Sequence, residues 1–146
     1  MSTDVSAPAR TRREIPAGLI EDARRHVYEA AIRTPLMRLN CDGPAEIYLK
    51  LECLQSIGSF KIRGAYNAVR LLPEEHKRRG VWTVSAGNAA QGVALAARKA
   101  GVPCKVLVMD TAPVAKLDAA RRLGAEIVKA SYDQCWQALR IARIPP

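Results

Sequence analysis

From residue 81 to residue 140 short apolar runs alternate with helical patterns, and this alternation constrains the fold more than any other feature of the sequence. Val81-Trp82-Thr83-Val84 reads as a short buried strand, followed by a helix over 87–99 that stops at Gly101. Residues 104–109 form the next predicted strand and 113–123 the next helix, stopped by Gly124. A strand over 126–129 and a helix over 132–140 complete the series. Continuous apolar strands alternating with helices imply a parallel sheet with right-handed crossovers. The units are not self-similar, so they are βα layers and not a solenoid. The predicted class is α/β, a parallel sheet with flanking helices.

The preceding residues have a different texture. Residues 1–14, rich in Ser, Thr, Ala and Arg, read as a disordered tail. Pro16 stands where a helix begins, and Leu19, Ile20, Ala23, Val27, Ala30 and Ala31 follow with amphipathic spacing. Arg33-Thr34-Pro35-Leu36 ends that helix, because a residue before proline is pushed into extended geometry. Cys41-Asp42-Gly43-Pro44 is a turn, and residues 46–51 alternate as a strand. A Gly58-Ser59 turn breaks the strand, and Phe60-Lys61-Ile62-Arg63 opens a helix expected over 60–72, closed by Pro73. Residues 74–80 are polar, with Lys77, Arg78 and Arg79 placed in a turn.

Composition excludes several classes. With 49% apolar and 25% charged residues the chain is globular, and 146 residues suffice for one ordinary domain. No apolar run approaches the roughly eighteen residues of a membrane span, and residues 1–13 lack the apolar region of a secretory signal. A cytoplasmic location is expected. The formal charge of +9 comes from basic residues scattered over tail, helices and turns, with no aromatic residues interleaved. A solvated basic face therefore accounts for it better than a nucleic-acid surface. Cys41, Cys53, Cys104 and Cys135 lie far apart, and only His26 and His76 could join them. Metal-ligand spacing is absent, and reduced, mostly buried thiols are expected.

Two stretches carry chemistry. Lys61 stands near a helix start, where backbone N–H groups already place partial positive charge. That field, with desolvation, favours the neutral amine that a Schiff-base nucleophile requires; the alternative is a solvated lysine on an amphipathic helix. Ser85-Ala86-Gly87-Asn88-Ala89-Ala90-Gln91-Gly92 lies between a strand and a helix. Its small residues let the backbone approach a ligand, and N–H groups at the helix start attract an anion, carboxylate or phosphate. Val93 and Ala94 after Gly92 exclude a Walker loop, and the spacing is not G-x-G-x-x-G. The alternative is a plain helix start capped by Ser85 or Asn88.

Taken together, Lys50-Leu51-Glu52, Gln55 and Gly58-Ser59-Phe60-Lys61-Ile62-Arg63-Gly64-Ala65 resemble the pyridoxal-phosphate attachment motif of serine/threonine dehydratases. These belong to the fold-type-II family that includes serine racemase and tryptophan synthase β. Residues 85–91 resemble the family's S-x-G-N-x-x-Q asparagine loop, Arg33-Thr34-Pro35-Leu36 its R-T-P-L element, and Ala112-Pro113-Val114-Ala115-Lys116 its A-P-x-x-K helix start. Cys53 stands where the family usually has Asn, Ala89 where it often has His, and Asp110 where it commonly has Pro.

The resemblance implies that Lys61 carries pyridoxal 5'-phosphate through its amine and acts as the catalytic base, with Phe60 and Asn88 beside the cofactor. It implies a substrate carboxylate held by Ser85, Gly87, Asn88 and Ala89. The implied reaction is α,β-elimination of L-threonine or L-serine to a 2-oxo acid and ammonia. Racemases of the family carry a proton-delivering serine at the position of Ala86. The implied partners are a small amino acid, with no nucleic acid or membrane, and further copies of the full-length chain in a homo-oligomer. Residues 15–79 would be the N-terminal part of the large cofactor domain, and 80–146 a small βα domain with the substrate loop. The family's Gly-rich phosphate loop has no counterpart in this sequence. The expectation is therefore a fragment or truncated form that binds the cofactor weakly by itself. Other fold-type-II chemistry (β-replacement or racemisation) and a non-enzymatic basic βα domain are the alternatives; Arg63-Gly64-Ala65 argues for dehydratases.

Overall fold

A computed structural model describes residues 14–112 and 114–141. The tail expected over 1–14 lies, except for its last residue, outside them. Pro16, extended at φ −60° and ψ 138°, leads into α1 (Ala17–His26), which tightens into a 3-10 turn at Val27–Glu29. β1 (Leu36–Arg38) and β2 (Tyr48–Lys50) then pair antiparallel, Leu36 opposite Lys50 and Met37 opposite Leu49. The sequence predicted β2 with longer bounds and did not predict β1. At three residues each, with every residue exposed, the two strands carry no burial pattern to read.

A 3-10 turn (Glu52–Leu54) precedes α2 (Lys61–Arg70). The polar stretch read as a turn is instead a short helix, α3 (Glu74–Arg79). Its order of charge explains it: Glu74 and Glu75 open the first turn, while Lys77, Arg78 and Arg79 close the last, each complementing the helix dipole.

The remaining elements follow the predicted alternation closely: β3 (Val81–Val84), α4 (Asn88–Ala100), β4 (Cys104–Met109), α5 (Val114–Arg122), β5 (Glu126–Ala130) and α6 (Tyr132–Ile141). The three strands form one parallel sheet in the order β3-β4-β5, with Val81 beside Cys104 and Val106 beside Ile127. Pleating sends alternate residues of β4 to opposite faces. Cys104, Val106 and Val108 pack with Ala90, Ala94 and Ala97 of α4 and Leu117 and Ala120 of α5. Leu107 faces the other way, where α6 leaves an apolar pocket of about 220 Å³ between Leu107, Tyr132, Trp136 and Leu139. The small Ala faces of α4 bring that helix close to the sheet, as the Ala-rich sequence requires.

A second apolar cluster joins the two halves of the chain. Val27, Ala31, Ile57 and Ile62 meet Leu95, which projects from α4. Asp22 of α1 pairs with Arg70 of α2, and that guanidinium holds the Asp22 carboxyl below its ordinary range.

The thiols divide evenly, a correction to the expected burial: Cys41 and Cys53 are exposed, Cys104 and Cys135 buried, and all four are free. Burial alone pushes the Cys104 thiol up to about 11, which leaves it inert near neutral pH. Among the described residues no helix is long and apolar enough to cross a membrane, and no group of three or more His, Cys, Asp or Glu could hold a metal.

Candidate active site

The site is built where the start of α2 meets the start of α4. Ile62 faces inward and is fully buried, so its neighbour Lys61 is turned outward. Buried Ser59 supplies the local cap, its Oγ accepting from the Lys61 N–H at 3.4 Å. Gly58 makes the preceding turn at φ +66°, a conformation that a side chain would strain. Lys61 Nζ lies 4.7 Å from the centroid of the Phe60 ring, and Phe60 itself is 56% exposed. Among the described residues Lys61 Nζ has no hydrogen-bond partner. An amine and a flat aromatic face are thus presented together to solvent.

The second predicted segment is locked to the first by a glycine. A Cβ on Gly92 would lie 3.1 Å from the Lys61 carbonyl carbon, carbonyl oxygen and Cβ, so the backbone of α4 rests directly on the residue that carries the amine. Asn88 stands one helical turn before Gly92, and Leu95 one turn after, so the three share the face of α4 turned to α2. Asn88 is exposed, as is Gly87, and Ala89 is half-buried.

Neither capping alternative is realised. Ser85 Oγ accepts from the Gly87 N–H at 3.2 Å, and α4 has no side-chain cap. The N–H groups of Asn88, Ala89 and Ala90 precede Gln91, whose N–H is the first to donate within the helix, to the Gly87 carbonyl, and they remain available to an anion. A Cβ at Gly87 would meet nothing within 4 Å, which leaves the mouth of this helix open. The structure therefore brings Lys61, Phe60, Asn88 and the Ser85-to-Ala89 loop to one side of the molecule. An outward amine, an exposed ring and uncapped donors fit a carbonyl-bearing aromatic cofactor together with a carboxylate.

The sequence did not single out the polar cluster beneath this surface. Glu52 accepts from Arg63 twice, Nε at 2.8 Å and Nη2 at 2.7 Å, from Thr34 Oγ1 at 2.6 Å, and from Gln55 Nε2 at 3.2 Å. The Arg63 guanidinium, with Thr34 and Gln55 adding donors, holds the Glu52 carboxyl down to about 2. Gln55 is buried and pairs with Ile32 at both ends of its amide, accepting from the Ile32 N–H at 3.0 Å and donating to its carbonyl at 2.9 Å. Lys50 Nζ donates to the Thr34 carbonyl. Tyr28 lies under both guanidinium groups, 4.0 Å from Arg33 and 5.4 Å from Arg63.

Known proteins resemble this chain in both sequence and fold. The profile of the family described as "Pyridoxal-phosphate dependent enzyme" matches residues 27–144. The L-threonine ammonia-lyase of Thermotoga maritima is 44% identical over 128 residues, covering 84% of this chain and 32% of that protein. Among solved structures, the processed form of threonine deaminase isoform 2 from Solanum lycopersicum superposes with a TM-score of 0.77 at 36% identity, over 86% of this chain and 39% of that one. Serine racemase from Dictyostelium discoideum does so with a TM-score of 0.79 at 32% identity, over 87% and 43%. The chain thus spans about a third of the length of the curated relatives it matches, and its sheet and flanking helices are those of the fold-type-II enzymes.

Proposed function

The chain belongs to the pyridoxal-phosphate dependent enzyme family, and we propose that it supplies the lysine and the carboxylate-binding helix of a site that deaminates L-threonine or L-serine by α,β-elimination. The observation that carries this reading is the close approach of Gly92 in α4 to the backbone of Lys61 in α2, where a Cβ would lie 3.1 Å from the Lys61 carbonyl. Pyridoxal phosphate, when bound, supplies the electron sink that makes the substrate Cα proton removable. Lys61 Nζ is the atom that would anchor the cofactor and hold the proton removed from Cα, a role open to an exposed amine with no hydrogen-bond partner among the described residues. Phe60 and Asn88 are the residues that would flank the cofactor. The N–H groups of Asn88 and Ala89, with Ser85 and Gly87 shaping the turn before them, hold the substrate carboxylate. Loss of the β-hydroxyl and addition of water give a 2-oxo acid and ammonia. The division at residues 79 and 80 into a cofactor-domain segment and a substrate-loop domain belongs to the same proposal, as do homo-oligomeric assembly and a cytoplasmic setting.

The likeness to serine racemase raises racemisation as a second reading. Ala86, packed against the main core, stands where the proton-delivering serine of racemases is expected, and a methyl group cannot hold a proton. Elimination is favoured on that ground. The test is a chimera in which this chain replaces the matching segment of the Thermotoga maritima ammonia-lyase. It should form 2-oxobutanoate from L-threonine, lose that activity with Lys61→Ala, and form no D-serine from L-serine. Retained turnover after Lys61→Ala, or efficient D-serine formation, contradicts the proposal.

A further inference from the structure

The loop that presents Lys61 is closed at its base by an ion pair. Glu52 and Arg63 stand 11 residues apart and meet through two parallel N–H···O bonds. Between them lie Gln55, Gly58, Ser59, Phe60 and Lys61. Residues 55–60 form neither strand nor helix, and the Gly58 N–H to Gln55 carbonyl bond of 2.7 Å is their main internal tie. Ile57 anchors the middle of the loop in the apolar cluster with Ile62 and Leu95, and the polar ties lie at its ends. One end is fixed by Glu52 and Gln55, which also grip Ile32 and Thr34; the other by Arg63, whose Nη2 reaches the Ile32 carbonyl at 3.1 Å.

Bidentate guanidinium–carboxylate pairing constrains angle as well as distance. The side chains of Glu52 and Arg63 are only 16% and 24% exposed, so water does little to loosen them. Lys61, by contrast, is outward, and its only close side-chain neighbour among the described contacts is Phe60. Where Nζ points is set by the backbone of Lys61, held by the loop on one side and by Gly92 of α4 on the other.

We propose that Glu52 and Arg63 are positioning residues that staple this loop and so aim the Lys61 amine. The inference deepens the reading of Lys61 as the cofactor-bearing lysine and rests on it. Neither side chain touches the reacting atoms; both act through the backbone between them. Removing one partner leaves a mostly buried charge without its counterion, which opens the loop, whereas removing both relieves that penalty.

The experiment compares the chain with Glu52→Gln, Arg63→Gln and the double variant. Backbone amide exchange is read at Gly58 and Lys61, inside the staple, and at Ala96 and Ala97 in α4. Each single variant should speed the first pair about tenfold or more while changing the second less than about twofold. The double variant should exchange more slowly than the product of the single effects, because the sites are coupled. Incubation with pyridoxal phosphate, borohydride reduction and peptide mapping give a second readout, the ratio of trapped adduct at Lys61 to that at exposed Lys129. That ratio should fall about fivefold or more in each single variant, well below its melting temperature, since misaimed amines lose the advantage of orientation. If Glu52→Gln fails to fold, Glu52→Asp, one methylene too short to reach both donors, is measured in the same way. Unchanged exchange at Gly58 and Lys61, or equal acceleration in α4, overturns the staple. A wild-type chain trapped no more at Lys61 than at Lys129 sinks the reading of Lys61, while the exchange measurement still decides the staple by itself.

Discussion

At the scale of single residues the largest electrostatic perturbation sits at Glu52. A carboxyl whose pKa falls on folding stabilises the fold above its unfolded value and loses that contribution as pH drops toward the folded one. For Glu52 the window runs from an ordinary 4.5 down to about 2. The difference corresponds to at most about 3 kcal/mol, at about 1.4 kcal/mol per pH unit, reduced by the solvent that still reaches the pair. Acid unfolding followed by circular dichroism should therefore show wild-type stability declining through this window more steeply than that of Glu52→Gln, which has no proton to take up. Parallel acid profiles would remove Glu52 from the account. Lys61 and Asn88 were singled out in the sequence because the motifs around them resemble those of the family. Glu52 and Arg63 stood within the same motif, but their role was not legible. Pairing across 11 residues depends on how the loop closes, and nothing in local spacing reports it.

At the scale of elements, two glycines on facing helices have opposite meanings. Gly64 in α2 faces open space, since a Cβ there would meet nothing within 4 Å. Gly64→Ala should stabilise the chain by roughly 0.5–1 kcal/mol, the usual gain of alanine over glycine in an open helix position. Gly92 in α4 is pressed against the Lys61 backbone, and Gly92→Val should destabilise by roughly 1–3 kcal/mol, as overpacking does. Chemical denaturation of both variants checks the pair; two shifts of the same sign would contradict the packing described. The helices and strands from residue 81 onward were legible nearly to the residue, because continuous apolar runs alternate with helical patterns and glycines stop two of the three helices. β1 escaped because three exposed residues carry no periodicity, and its pairing with β2 is decided by the return of the chain after the Cys41–Pro44 turn. α3 escaped because charge order, not an apolar stripe, makes it a helix.

At the scale of the molecule, the parallel sheet and the lysine segment are one packed body, joined by Ile62 against Leu95 and by the bare contact at Gly92. The α/β class followed from the alternation of patterns alone. The meeting of α2 with α4 did not, because helices far apart in sequence declare their partners only through complementary faces, and a glycine in a helix reads equally well as a weak spot. The thiols make the same point: Cys53, which lies in the 3-10 turn Glu52–Leu54, is exposed, whereas Cys104 in β4 is buried. The account's central claim is that this meeting of helices singles out one amine among seven lysines. The direct measurement is to incubate the chain with pyridoxal phosphate, reduce with borohydride, and map the modified peptides by mass spectrometry. The account predicts an adduct concentrated on Lys61 and lost from the profile in Lys61→Ala. Adducts spread over Lys50, Lys99, Lys105 and Lys129 in proportion to exposure, and unaltered by Lys61→Ala, would contradict it.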